Sequence, residues 1–282
     1  MSRGINLPSM PKSTKTAGLV ESVEKAFEIL QSVAAFRRIG VLKLSQEVEL
    51  PYSTVHRLLR TLERLGYIVQ SGDRSQYSLG SKVLELGTAF LDQVQLREEA
   101  LSFMAALNQE TRETINLVMW NGTSAVCIEK IDSAESVTVQ QTQVGKSEPL
   151  HSTGLGKVIL AQLEPRQVTE ILGRRELTRY TPNTITTLAE LTKELDATRL
   201  RGFAIDDEEG LPGIRCVASA IIDHQGVVVG AISLVAPAIR MNKRRLGELG
   251  LQVRDVAARV SQRLGFNPVS EIRSKLRNAD TR

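Results

Sequence analysis

From Val20 onward, apolar residues recur at three- and four-residue steps: Val20, Val23, Phe27, Leu30, and Val33 or Ala34. This spacing predicts an amphipathic helix. The stretch RRIGVLK (37–43) breaks the period with a turn at Gly40, and a second short helix is expected from Leu44 to Glu49. Pro51 then suits the first turn of a new helix, where its missing N–H has no partner to lose. Val55, Leu58, Leu59, Leu62 and Leu65 form one stripe of that helix. The opposite face carries Tyr52, Ser53, Thr54, His56, Arg57, Arg60, Thr61 and Arg64, with Glu63 the single acid, and Gly66 reads as its C-terminal cap. YIVQ (67–70), a turn SGDRS (71–75) and QYSL (76–79) follow as a two-stranded wing. Helix, turn, helix and wing in this order predict a winged helix-turn-helix.

The run KVLELGTAFLDQVQ (82–95) is helical with a broad apolar face that must be buried against something, so it reads as a linker helix that also pairs with a second subunit. Another helix is expected over 97–111, and then the period changes. TINLVMW (114–120), SAVCIEKI (124–131) and SVTVQQ (136–141) read as strands, with Asn121-Gly122 as a hairpin signal. Helices are expected at 154–163, 165–172 and 187–201, strands at 216–222 and 227–235, and a closing helix at 242–264. The fold class is therefore α+β. The organisation is a disordered basic arm (1–18), a DNA-binding domain (19–80), a linker helix (81–96), a C-terminal α/β domain (97–267) and a flexible tail (268–282).

A length of 282 residues suits two domains, and 41% hydrophobic residues suffice for a real core. Neither a membrane-spanning apolar run nor a signal peptide is legible. Cys127 and Cys216 lie far apart, which fits a reducing cytoplasm, and with His56, His151 and His224 they make no standard zinc constellation. The expectation is a soluble, cytoplasmic protein without metal or cofactor. Charge is uneven: residues 1–80 hold 11 Lys/Arg against 7 Asp/Glu, whereas the remainder balances at 25 against 25. A local basic surplus is what phosphate contact requires. Within the third helix Arg57 or Arg60 suits a guanine edge and Thr54 a thymine methyl. Ser53, Thr54, His56, Arg57 and Arg60, with Arg74 in the wing turn, form the candidate DNA-binding set.

In HSTGLGK (151–157), Gly154 and Gly156 sit where a loop enters a helix. They suit either a carboxylate at the free N–H groups or simple close packing. Cys216 and Ser233 are small polar groups in apolar strands, read either as pocket residues or as satisfied core. Taken with LSQEVELPYSTVHRLLRTLERLGYI (44–68), YSLGSKVLELG (77–87), PLHSTGLGKVILA (149–161), DDEEGLPGIRCVASAI (206–221) and GAISLVAP (230–237), the chain resembles the IclR family of transcriptional regulators over residues 20–265. The resemblance implies a winged helix-turn-helix joined by a helix to a GAF-like effector-binding domain, and dimers that pair into tetramers on a pseudo-palindromic operator in double-stranded DNA. It also implies effector contacts at Gly154, Leu155, Asp206, Cys216 and Ser233. Val235 stands where some members place a second serine. This disfavours a very small, highly polar effector such as glyoxylate and favours a larger sugar acid or aromatic acid. Keto acids complete the candidate effectors, and the whole sequence looks most like members that sense sugar-acid intermediates. Repression is favoured over activation, although both signs occur with the same parts.

Three other readings remain. The carboxylates Asp206, Asp207, Glu208 and Glu209 suggest an acid–base site, but adjacent residues do not all face one point. Cys216 suggests a nucleophile or redox sensor, with His151 or His224 as a distant activator. An architectural DNA binder would leave the large C-terminal domain unused.

Overall fold

The computed structural model describes residues 20–71, 76–92, 95–136, 142–173 and 177–267. The expected arm, the wing turn with Arg74, all but the first residue of the strand expected at 136–141, and the tail lie outside the described residues. The chain divides between residues 93 and 94 into two compact units.

The first unit runs α1 (Glu21–Phe36), β1 (Ile39–Gly40), α2 (Val41–Glu47), α3 (Tyr52–Arg64), β2 (Ile68–Ser71), β3 (Gln76–Leu79) and α4 (Ser81–Asp92). β3 pairs antiparallel with both β2 and β1, giving the order β1-β3-β2. The second short helix starts earlier than expected, at Val41, because Gly40 ends a two-residue strand and Val41 and Leu44 turn into the core. The turn between α2 and α3 places Glu49 at φ +52°, and the Ser45 hydroxyl donates to the Leu50 carbonyl at 2.5 Å. Gly66 after α3 adopts φ +81°, the left-handed backbone expected of its cap. Ile29, Val33, Leu44, Val55, Leu59, Ile68 and Tyr77 make the core of this unit. Each such aliphatic side chain contributes about 1.5–3 kcal/mol on burial.

One sequence expectation shifts. Of the stripe read on α1, Val33 is buried, but Val20, Val23 and Phe27 face outward, and Ile29 takes the core position instead. Together with Leu58 and Leu65 of α3 and Leu86 of α4, Val23 and Phe27 line an open apolar cavity of about 430 Å³.

The second unit contains α5 (Gln95–Thr111), β4 (Thr114–Trp120), β5 (Ala125–Ile131), β6 (Ser147–Glu148), α6 (Gly154–Leu160) and α7 (Pro165–Leu172). It continues with α8 (Leu188–Arg201), β7 (Ala204–Asp207), β8 (Ile214–Ile222), β9 (Val228–Pro237) and α9 (Lys243–Arg263). The apolar run read as one helix over 82–95 is described as α4 to Asp92 and as α5 from Gln95, and residues 93–94 lie outside the described residues. The Asn121-Gly122 hairpin forms with a four-residue connection, in which the Asn121 side-chain oxygen accepts from the backbone N–H groups of Thr123 and Ser124. The sheet is antiparallel throughout in the order β6-β5-β4-β9-β8-β7. The short strands β6 and β7 were not legible in advance, since two to four residues carry no measurable alternation.

Alternation along the strands sends Val118, Cys127, Cys216, Ala218 and Ala231 to one face, where Leu155, Val158 and Ile159 of α6 cover them. α5 and α9 pack together, and both also contact the sheet. α9 approaches closely: a Cβ on Gly250 would lie 2.3 Å from the Phe203 ring, and the Ser261 hydroxyl accepts from the Ile222 N–H at 3.0 Å.

Candidate functional site

In the first unit, α3 presents Ser53, His56, Arg57 and Arg60 as exposed side chains and Thr54 as half-buried, opposite the buried Val55, Leu59 and Leu62. His56 stacks on Tyr52 with ring centroids 6.1 Å apart. The Thr61 hydroxyl donates back to the Arg57 carbonyl at 3.1 Å, so it is used within the helix. Among the described residues Arg57 and Arg60 take part in no ion pair, and Glu63 is the single acid of the polar face. Such a helix offers free guanidinium forks and hydroxyls to a phosphate-lined groove.

In the second unit, register rather than sequence proximity assembles the site. Asp206 of β7 is the Cα partner of Cys216 on β8, Cys216 of Val235 on β9, and Val235 of Thr114 on β4. A second row runs Ala218, Ser233, Asn116 across β8, β9 and β4. Directly opposed residues share a face, so Asp206, Cys216, Ser233 and Asn116 lie on the same side of the sheet. The first residue of α6 closes on that side: a Cβ built on Gly154 would lie 3.0 Å from Cys216 Sγ and 3.3 Å from the Ala218 Cβ. A side chain at 154 would crowd Cys216 and Ala218, so glycine lets the helix start close to the sheet, and Leu155 packs in the same cluster. The five residues singled out from the resemblance (Gly154, Leu155, Asp206, Cys216 and Ser233) are gathered in one buried place.

Electrostatics give each group a definite state. Burial pushes the Asp206 carboxyl up to about 7, although its Oδ1 accepts from the Glu209 N–H at 2.7 Å and the Gly210 N–H at 3.3 Å. Burial likewise raises the Cys216 thiol, with the Asp206 charge adding to it, so the sulfur is a neutral thiol at physiological pH. His151 donates its Nε2–H to the Thr178 carbonyl at 2.9 Å and stacks on Tyr180, while His224 is exposed in the turn after β8. A neutral thiol with both candidate activators occupied or remote argues against the nucleophile and redox-sensor readings.

The four consecutive carboxylates separate as expected. Asp206 faces the site, and Asp207 and Glu208 pair with Arg215 at 2.6 and 3.4 Å. Glu209 turns inward to Lys157, whose ammonium is wholly buried and also donates to the Ile205 carbonyl. Glu208 sits at φ +62°, and the turn is held by the Thr181 hydroxyl on the Glu208 carbonyl and the Thr184 hydroxyl on the Glu209 carbonyl, both at 2.7 Å.

Sequence reasoning missed Asn116, Glu148, Lys157 and Glu209 as parts of this neighbourhood. Glu148 is buried, its carboxyl raised by desolvation, and its charge reaches both cysteines. A lysine immediately after the GxG of Gly154–Gly156, in an apolar helix, could have been suspected as needing an acid; Asn116 left no sequence signal.

Comparison with known proteins places both halves. The profile described as IclR helix-turn-helix domain matches residues 22–72, and that described as bacterial transcriptional regulator IclR C-terminal matches residues 88–262. The HTH-type transcriptional regulator KdgR of Escherichia coli is 38% identical over 88% of this chain and 94% of its own length. The transcriptional repressor IclR of the same organism is 31% identical over 88% and 91%. Among solved structures, Thermotoga maritima IclR is similar at 30% identity with a TM-score of 0.68, over 87% of this chain and 99% of that one. The C-terminal domain of Escherichia coli KdgR is similar at 35% identity and TM-score 0.55, over 61% of this chain and 100% of that one. With both domains matched in order and relatives aligned over nearly their whole length, the chain belongs to the IclR family of DNA-binding transcriptional regulators.

Proposed function

We propose that the protein is a cytoplasmic repressor whose operator affinity is set by a small organic acid held by Gly154, Leu155, Asp206, Cys216 and Ser233. Two α3 helices of a homodimer read successive major grooves of a pseudo-palindromic operator, through Ser53, Thr54, His56, Arg57 and Arg60 and with Arg74 of the wing. The observation that carries the effector reading is the polar row Asp206–Cys216 beside Ser233, in an otherwise apolar sheet face closed by the glycine that starts α6. Polar groups buried in this way are expected to serve either structure or a ligand. Here Ser152 Oγ and Asn116 Oδ1 are buried without a hydrogen-bond partner among the described residues, which favours a ligand. The acid shifts operator affinity only by its differential affinity for the two states of the dimer.

Self-association is supported by the outward apolar residues of the first unit, Phe27 at 59% exposure and Leu86 at 53%, which line one cavity, with Phe90 at 48% one turn on from Leu86. Contiguous apolar surface of this kind marks an interaction site. The relatives are regulators, and with Cys216 held as a neutral thiol this chain is read as performing no catalysis.

The decisive experiment is thermal unfolding against sugar, aromatic and keto acids, paired with operator binding. An effector at ~100 times its dissociation constant adds about 2.7 kcal/mol of stability. A shift that Cys216→Leu abolishes, while operator binding by the variant persists, supports the site. A variant that responds like the parent refutes it.

A further inference from the structure

Asn116 sits on β4 in register with Ser233 of β9, which is itself in register with Ala218 of β8. The Ala218 Cβ lies 3.3 Å from where a Cβ on Gly154 would be, so this row leads from Asn116 through Ser233 to the start of α6. Asn116 is 1% exposed. Its Nδ2 reaches the Ser233 hydroxyl at 3.5 Å, a long contact, and its Oδ1 has no hydrogen-bond partner among the described residues. Buried amide oxygens are nearly always paired, because an unpaired one forfeits the hydrogen bonds it had in water. Nothing in the fold requires an asparagine here: the neighbouring strand positions Leu117 and Val118 are apolar and fully buried.

The orphan is an acceptor, and this restricts what can meet it. A ligand carboxylate or ketone oxygen would place acceptor against acceptor, and an alkyl or aryl group would leave the amide unpaired. A hydroxyl supplies the missing donor. Thr114 Oγ1, two residues earlier on the same strand, accepts from the Ser133 N–H at 3.1 Å and makes no hydrogen bond to the Asn116 amide, and its register partner Val235 is apolar.

We propose that Asn116 is a specificity-determining residue of the effector site, its amide oxygen accepting from an effector hydroxyl, so that the effector is a hydroxylated acid. The proposal rests on the effector reading above and narrows it.

The test uses the full-length protein and two pairs of acids matched in charge and chain length: D-gluconate with hexanoate, and glycerate with propionate. Thermal unfolding and calorimetric titration are run on the parent, on Asn116→Leu and on Cys216→Leu. The expected result is binding of a hydroxylated acid at least tenfold tighter than its hydroxyl-free counterpart, with that ratio collapsing in Asn116→Leu. The parent comparison needs no variant, so poor folding of Asn116→Leu does not protect the proposal. Asn116→Ser, which keeps a small polar group, is expected to retain part of the preference. If a hydroxyl-free acid binds as well or better and Cys216→Leu abolishes it, the effector site stands and the hydroxyl inference is overturned. If Asn116→Leu keeps the full preference, the amide serves only structure or a water, and its role is overturned. If none of the four acids binds, the hydroxyl inference is overturned, while the effector reading passes to the aromatic and keto acids of the wider panel.

Discussion

Asp206 illustrates what burial does to a single group. Its carboxyl is raised to about 7 in the fold from an ordinary 3.8, so between those values the native state holds a proton that the unfolded chain has released. Stability then falls as pH rises from about 4 to about 7, and is flat with respect to this group above that. Asp206→Asn keeps an oxygen for the Glu209 and Gly210 N–H groups but removes the titration. The variant is expected to gain on the parent across that window by an amount on the order of a few kcal/mol. Denaturant titrations at pH 4.5 and 8 check this, and a difference that does not change with pH would contradict it. On α3, Arg57→Ala is expected to weaken operator binding by roughly 1–3 kcal/mol and to relax one base preference if the guanidinium reads a base. A mobility-shift comparison with single-base operator variants decides, and unchanged affinity and preference would remove Arg57 from the readout set. At this scale the sequence showed the exposed face of α3 clearly, because polar and apolar positions on one helix are local information. It did not show Asn116 or Glu148, whose roles depend on strands distant in the chain.

At the scale of elements, helix starts and sheet register decide the site. α6 is only seven residues long, yet all of them are buried, and Thr153 caps it by accepting from the Gly156 N–H at 3.0 Å. Gly156 has no room for a side chain: a Cβ there would lie 2.3 Å from the Leu150 Cα and 2.4 Å from its carbonyl oxygen. Because the obstacle is backbone, Gly156→Ala must displace the segment leading into α6, at a cost of about 1–3 kcal/mol or more. Chemical denaturation is expected to show that loss, with effector response impaired beyond it and operator binding retained when the protein is folded. A variant as stable as the parent would mean that the segment yields freely. The buried Lys157–Glu209 pair ties α6 to the turn after β7, which also presents Asp206. Removing one partner of such a pair strands the other charge, so this contact positions the site as much as any residue lining it. The long elements were legible because their periods are strong. β1, β6 and β7 were not, because partners rather than pattern define strands of two to four residues.

Taken whole, the chain separates a DNA-reading unit from a sensing unit, and the helix α4 that ends the first carries an apolar face exposed to solvent. If two copies bury that face against each other, Leu86→Glu with Phe90→Glu, one turn apart on α4, is expected to convert dimers to monomers in sedimentation and to reduce operator affinity at least tenfold, because two half-sites then bind independently. A double variant that stays dimeric would assign the contact to another surface.

The sequence alone determined the order of the long elements, the basic and apolar faces of α3, and membership of a family whose motifs are spread along the chain. Each of these is written in local periodicity, in turn residues or in the spacing of short motifs. Only the tertiary structure decided that the outer residues of α1 join α3 and α4 around an open cavity, that Glu209 turns away from its three acidic neighbours to meet Lys157, and that Asn116 shares a face with Cys216 and Ser233. The physical reason is the same in each case. Hydrophobic burial is non-directional and says which residues go inside, whereas strand register and close helix approach fix which of them meet, and those depend on contacts between segments a hundred residues apart.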